Sequence, residues 1–271
     1  MLLTNTQTAA WLDHPHHGAI LTLRNDIPIP EPLEGEVLVK LECTGFCHSD
    51  VHSIYGETPM ETNIAGHEGV GRVVETGVTV YAGVAQASKF IKQGDSVVIL
   101  GAGGGLGHLA VQVATVSGYR VIAVDSGDKA DICKISGAAE FINFQKQDVE
   151  KAVKEITGGI GAHAVMVTAG SERAYESVPG LLRNLGVLVC IGIPRLDFHV
   201  PISPFEIIVR GLKIVGTSVG TESDIQELLK LTAEGKVKPQ IEVYDFGDIN
   251  AVMDKLAKFQ VKGRAVLRLP Q

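Results

Sequence analysis

Cysteine is scarce in this chain: four in 271 residues, at Cys43, Cys47, Cys133 and Cys190. So few, without the spacings of a secreted framework, exclude a disulfide scaffold and fit a reducing compartment. Positive charge is also short, with 24 Lys and Arg against 31 Asp and Glu, a net charge of -7 and a pI near 5.7. Neither nucleic acid nor an anionic membrane is expected as a partner. Long apolar runs are missing too. The longest, around residues 97–116, is broken by a glycine cluster and a histidine and is no membrane span. The opening M-L-L-T-N-T-Q-T-A-A-W-L-D-H-P-H-H-G has no basic n-region and no apolar h-region. No signal peptide is expected, and a cytoplasmic localisation is. Internal repeats and low-complexity tracts are absent.

What is present is the material of a globular core: 45% hydrophobic and 20% charged residues. The length allows two modest domains or one large one. The 31 glycines point to many tight turns, as in α/β nucleotide folds. The first 75 residues read as mainly β. I-L-T-L at 20–23 and the alternating E-V-L-V-K-L-E-C at 36–43 predict strands, with a proline-rich surface loop from Pro28 to Pro32 between them. G-V-G-R-V-V-E at 69–75 predicts another strand. From about Val78 the pattern changes to helix and strand in alternation. A short helix is expected over 80–89, then a buried strand Ser96–Leu100, a glycine loop and a helix over 105–117. Strands follow at 121–125, 140–143, 164–168 and 187–192, separated by helices near 128–137, 148–157 and 171–184. Apolar, non-alternating strands between helices predict a parallel sheet covered on both faces. The tail beyond about 237 is mixed and ends in a strand at 264–269.

The glycine loop is the most specific signal. Gly101, Gly103, Gly104, Gly105 and Gly107, with Leu106 among them, sit between the strand V-V-I-L and the helix H-L-A-V-Q-V-A. That context is what a dinucleotide fingerprint needs: glycines let backbone approach a pyrophosphate, and a helix N-terminus points at it. Asp125 ends the next strand, eighteen residues after Gly107, where an acid holds a ribose 2′-hydroxyl. A carboxylate there repels a 2′-phosphate, so NAD is favoured over NADP. Lys129 is a second candidate ribose partner, with a solvated lysine as the alternative.

Metal chemistry is signalled by Cys47-His48-Ser49-Asp50 and by Gly66-His67-Glu68. A catalytic zinc takes about three protein ligands plus an open position. Cys47 and His67 supply a thiolate and an imidazole, Glu68 a neighbouring carboxylate, and Asp50 a group able to orient a ligand. A third cysteine ligand is not found; Cys43 reads equally well as core.

Taken together, C-H-S-D-V-H, G-H-E-G-V-G, V-T-V-Y-A-G, G-A-G-G-G-L-G-H-L-A-V-Q, G-Y-R-V-I-A-V-D, I-V-G-T-S-V-G and V-K-G-R resemble the zinc-dependent alcohol dehydrogenases of the medium-chain dehydrogenase/reductase family, fungal in flavour. The resemblance runs over almost the whole chain. It implies an NAD-binding Rossmann domain, a doubly wound parallel sheet, over 78–237. It also implies a mainly-β GroES-like catalytic domain, here truncated, formed by 1–77 with 238–271. On matching positions it implies Cys47 and His67 as zinc ligands with Glu68 beside them, Ser49 as the hydroxyl meeting the substrate alcohol, and His52 as the far end of its proton relay. His48 and Arg264 would contact cofactor phosphate, and Ile193 and Val219 would line the nicotinamide pocket. The substrate would be a small-molecule alcohol or carbonyl compound, and the assembly a homo-oligomer formed through the edge of the cofactor-domain sheet near I-V-G-T-S-V-G.

The departure from the family lies after Gly69. There the family inserts several dozen residues carrying barrel strands and a four-cysteine structural-zinc lobe; here residues 69–75 run straight into Thr76-Gly77. The third catalytic cysteine would align with Glu75. Lost strands would leave sheet edges and apolar faces exposed. Modest bulk near Ile54 and Thr58 would admit substrates larger than ethanol. Three readings stay open: a zinc-assisted NAD-dependent oxidoreductase, a zinc-free NAD(H)-binding enzyme of the same fold, and a non-catalytic truncated nucleotide-binding protein.

Overall fold

The computed structural model describes residues 6–30, 41, 43–60, 62–66, 68, 69 and 74–270; residues 68, 69 and 74–76 are described by their backbone. Two compact units emerge, Met1–Arg72 with Ile241–Gln271, and Val73–Gln240.

The first unit begins with strands β1 (Thr6–Trp11) and β2 (Thr22–Pro28), an antiparallel pair with a register shift between Gln7 and Ala9. β1 has no counterpart in the sequence expectations. Strand β3 (Cys43–Phe46) runs into helix α1 (His48–Ile54), and a short strand β4 (Glu68–Gly69) follows. The expected strand at 36–43 lies outside the described residues except at Leu41, which is in no strand, and Cys43, which opens β3.

The second unit starts with helix α2 (Val74–Ala87), then β5 (Ser96–Leu100), α3 (Gly107–Val116), β6 (Arg120–Asp125), α4 (Ala130–Ile135) and β7 (Glu140–Asn143). It continues through α5 (Val149–Ile156), β8 (Ala162–Val167), α6 (Glu172–Leu181), β9 (Leu182–Cys190), α7 (Pro204–Arg210), β10 (Lys213–Gly216) and α8 (Glu222–Ala233). The chain closes the first unit with β11 (Ile241–Asp245), α9 (Ile249–Ala257) and β12 (Arg264–Arg268).

In the second unit six parallel strands lie in the order β10-β9-β8-β5-β6-β7. Counted from β5, that is the 3-2-1-4-5-6 order of a doubly wound dinucleotide fold. Every residue of β5 is buried, because both faces are covered. Val97 and Ile99 join a core with Val80 and Val84 of α2 and Leu109 of α3. Val98 and Leu100 point the other way, into a core with Val153 of α5 and Val178 of α6.

The strand expected over 69–75 is overturned at its end, since Val74 and Glu75 already lie in α2, six residues ahead of the expected helix start. Burial explains it. Val78, Val80 and Val84 are at most 3% exposed, each worth about 1.5–3 kcal/mol, against a helix penalty for valine of only a few tenths to about 0.7 kcal/mol. Gly77 and Gly83 make this approach possible: an added Cβ would lie 2.6 Å from Leu228 and 2.8 Å from Ile191.

In the first unit a four-stranded sheet has the order β11-β12-β3-β4, with β11–β12 parallel and the other pairs antiparallel. α1 and α9 cover it through Val51, Ile54, Ile249, Val252 and Met253 against Phe46 and Leu267. Ile54, expected at the substrate pocket, is fully buried in this core and is not a pocket wall. An edge is open among the described residues: β11 pairs with β12 alone and leaves Ile241 and Val243 half exposed.

Candidate active site

Four glycines of the phosphate-type loop differ in what a Cβ would meet. Gly101 turns the chain at φ +81°, and a Cβ there would meet Ala169 at 2.8 Å. At Gly107 a Cβ would lie 2.0 Å from the Gly101 carbonyl oxygen, so only glycine lets α3 start against the end of β5. Gly103 gives way to Lys129, 2.6 Å from where its Cβ would be. Gly104 is different: a Cβ would have only ordinary contact, 3.5 Å from the Gly101 oxygen. The fold does not require glycine there, which leaves room for a ligand's close approach. The N-cap of α3, Leu106, supplies no side-chain cap; the His108 N–H is taken by the Gly104 carbonyl at 3.0 Å, and a helix start without a side-chain cap suits an anion.

Asp125 ends β6 and is 6% exposed. Its Oδ2 accepts the Gly103 N–H at 2.8 Å, its Oδ1 the Ser126 N–H at 2.8 Å, and Lys129 Nζ stands 3.7 Å from Oδ1. Asp125 and Lys129, the two candidate ribose partners, are thus brought together, with Gly103 of the loop against them. The arrangement fits a dinucleotide: a helix start without a side-chain cap, an unobstructed glycine and an acid at the next strand end.

Further side chains hold the loop. Thr168 Oγ1 donates to the Leu100 and Gly101 carbonyls at 2.8 and 3.2 Å. His108 is fully buried. Its Nε2 accepts the Gln240 N–H at 3.0 Å, so Nδ1 carries the proton and donates to the Gly104 carbonyl at 2.9 Å. Burial keeps this imidazole neutral, pulling its pKa below the ordinary value. Gln112, one turn on, donates to the Lys238 carbonyl and accepts the Lys238 N–H. A histidine and a glutamine four apart in an otherwise apolar helix were the signal for this clamp.

Ile193 and Val219 follow the carboxyl ends of β9 and β10 and are 54% and 45% exposed. Gly192 allows that crossing, since a Cβ would sit 2.4 Å from the Ala169 oxygen, and Tyr175 donates to its carbonyl at 2.6 Å. Val219 has φ +59°, a strained conformation for a β-branched residue.

In the first unit the metal-type residues gather on α1. Cys47 is its N-cap; the Asp50 carboxylate accepts the Cys47 N–H at 2.8 Å, forming a capping box. The β12–β3 register pairs Ala265 with Phe46, and one step on it sets Arg264, 3% exposed, opposite Cys47. Burial pushes the Cys47 thiol up, but the Arg264 guanidinium and a hydrogen bond from Ser49 outweigh it, leaving the pKa below the usual thiol value. His48 donates from Nδ1 to the Leu256 carbonyl at 3.0 Å and stacks on Phe259 with centroids 4.5 Å apart. Burial, and then His52 beside it, depress its pKa. His52 meets His48 edge-on at 4.9 Å and bonds Glu57 through Nδ1.

Cys47, His48, Ser49, His52 and Arg264 therefore come together. His67 lies outside the described residues, and Glu68 is placed by its backbone alone, opposite Gly45. Among the described residues no three His, Cys, Asp or Glu side chains converge as a metal site.

Comparison with known proteins accords with this geometry. Residues 105–234 match the family described as zinc-binding dehydrogenase. An alcohol dehydrogenase from Geobacillus stearothermophilus is 32% identical over 325 residues, covering 90% of this chain and 95% of that protein. One from Schizosaccharomyces pombe is 29% identical over 353 residues, covering 99% of both. Among solved structures, an alcohol dehydrogenase from Aeropyrum pernix superposes with a TM-score of 0.85 at 23% identity, covering 97% of this chain and 100% of that one. Acetophenone reductase from Geotrichum candidum, in complex with NAD, gives 0.81 at 22%, covering 99% and 98%. With 32% identity across nine-tenths or more of each chain, the chain belongs to the zinc-binding alcohol dehydrogenases of the medium-chain dehydrogenase/reductase family.

Proposed function

We propose that this chain transfers hydride between a small alcohol and NAD, or from NADH to an aldehyde or ketone. The observation that carries the reading is the glycine loop with Asp125 and Lys129 at the strand ends of a 3-2-1-4-5-6 sheet. Gly101, Gly104, Gly105, Leu106 and Gly107 bind the pyrophosphate, with His48 and Arg264 as further phosphate contacts. Asp125 holds the ribose, and Ile193 and Val219 line the nicotinamide. Ser49 meets the substrate hydroxyl and His52 accepts its proton.

Zinc is assigned to Cys47, His67 and the Glu68 carboxylate. A metal-ligating cysteine must be a thiolate, and the surroundings of Cys47 favour that form. When bound, zinc supplies Lewis acidity at the substrate oxygen. A block missing after Gly69 is supported by alignments of 325 and 353 positions to a chain of only 271 residues. A second reading, reduction without zinc, is favoured by one observation: Arg264 already puts positive charge beside Cys47.

The protein is assigned to the cytoplasm; no helix among the described residues is long and apolar enough to cross a membrane. It is assigned as a homo-oligomer through β10, the sheet edge, next to α7 with exposed Phe205, Ile208 and Val209.

Metal analysis of purified protein, NADH titration and a Cys47→Ser variant test the scheme. About one zinc per chain, saturable NADH binding and loss of alcohol oxidation in Cys47→Ser are expected. Under a tenth of a zinc per chain, with activity retained in Cys47→Ser, sinks the zinc assignment. Absence of NADH binding sinks the whole.

A further inference from the structure

His52 sits one helical turn after Ser49 on α1, so the two share a face. Its Nδ1 contacts the Glu57 carboxylate. An ionised carboxylate only accepts, so Nδ1 holds the proton and Nε2 is the bare lone pair. That Nε2 is buried and has no hydrogen-bond partner among the described residues. The pair is graded in exposure, His52 13% and Glu57 37% by side chain, with the bare nitrogen inward and the carboxylate toward water.

Local geometry builds this pair. α1 ends at Ile54, Gly56 turns at φ +79° against Pro15, and the chain folds back so that Glu57 and Thr58 N–H both donate to the His52 carbonyl, at 2.8 and 3.3 Å. The His52 backbone thus anchors the residue that meets its own ring. The other titratable ring against His52 is His48, whose Nδ1 is committed to Leu256 of α9 and whose face is taken by Phe259.

We propose that Glu57 is a positioning residue for proton transfer: it locks His52 in the Nδ1–H tautomer, aims Nε2 inward as the acceptor, and stabilises the imidazolium formed when Nε2 takes the proton passed on by Ser49. The proton leaves the Ser49 oxygen as the substrate's proton arrives there, and a new N–H bond forms at Nε2. Glu57 stays ionised throughout. The inference rests on the oxidoreductase reading.

The test uses the full chain with Glu57→Gln, Glu57→Asp, His52→Gln and the Glu57→Gln/His52→Gln pair, each checked by circular dichroism. Glu57→Gln keeps an acceptor but removes the charge. It is expected to lower kcat for alcohol oxidation about tenfold with KM and NADH affinity unchanged. Glu57→Asp should restore most of the rate. In the His52→Gln background Glu57→Gln should change nothing further. Imidazole ¹⁵N spectra of the wild type should show His52 protonated at Nδ1 at neutral pH. Wild-type turnover with Glu57→Gln within twofold, an equal loss with and without His52, or an Nε2–H signal overturns the inference alone. No turnover of any alcohol or carbonyl by the wild type, with NADH bound, overturns the reading and the inference with it.

Discussion

Two glycines three residues apart separate fold from function. Gly107→Ala drives a methyl group into backbone that cannot yield, 2.0 Å from the Gly101 oxygen, so a loss of about 1–3 kcal/mol is expected, visible in thermal melting. Gly104→Ala meets nothing closer than 3.5 Å and should melt like the wild type. Its NADH affinity should nevertheless fall at least tenfold in a fluorescence titration. Equal affinity in Gly104→Ala would mean the pyrophosphate does not approach there. Histidines set the pH response. His108 is held neutral in the fold, whereas the unfolded chain titrates near pH 6.5. Below that value the unfolded state binds more protons, so stability complete above about pH 6.5 drains away as pH falls. His48 and His163 act in the same sense, since burial depresses both. Urea midpoints should drop from pH 7 to pH 5, His108 contributing up to about 1.4 kcal/mol per pH unit. A flat profile would contradict the neutral clamp.

Elements differ in how far the sequence announces them. The parallel strands were legible because V-V-I-L and V-I-A-V are apolar without alternation, and the glycine loop because its order and spacing are chemical requirements. The start of α2 was not. Residues 69–75 carry strand-like β-branched spacing, and the burial of Val78, Val80 and Val84 further along favours a helix that begins at Val74. β1 was missed because its partner, β2, closes a register that no local signal states. Cys47 beside Arg264 is likewise a product of the β12–β3 register, and Glu57 beside His52 of a turn beyond the end of α1. Helix α3 offers a prediction of its own. Gln112→Ala strands the Lys238 N–H and carbonyl that Gln112 now satisfies, an expected cost of about 1–3 kcal/mol. A melting temperature equal to wild type would show that water replaces the amide at no cost.

For the whole molecule, association is governed by its sheet edges. β10 has β9 as its one described neighbour, and α7, reached from β10 through Gly211 and Leu212, exposes Ile208 at 78% and Val209 at 65%. An unpaired edge beside exposed aliphatic side chains is an association surface or an aggregation liability. An Ile208→Glu/Val209→Lys variant should sediment as a monomer where the wild type sediments as an oligomer, with NADH binding kept. A wild-type monomer would remove the assignment.

The clamp on residues 238–240 carries a consequence for slow exchange with solvent. These residues belong to no helix or strand, yet the Lys238 amide is held by Gln112 and the Gln240 amide by a fully buried imidazole. In deuterium oxide both should keep their protons far longer than a loop would, on the timescale of opening α3 itself. Because the same imidazole also grips Gly104, the Gln240 amide becomes a remote reporter. Its protection should rise when NADH occupies the glycine loop.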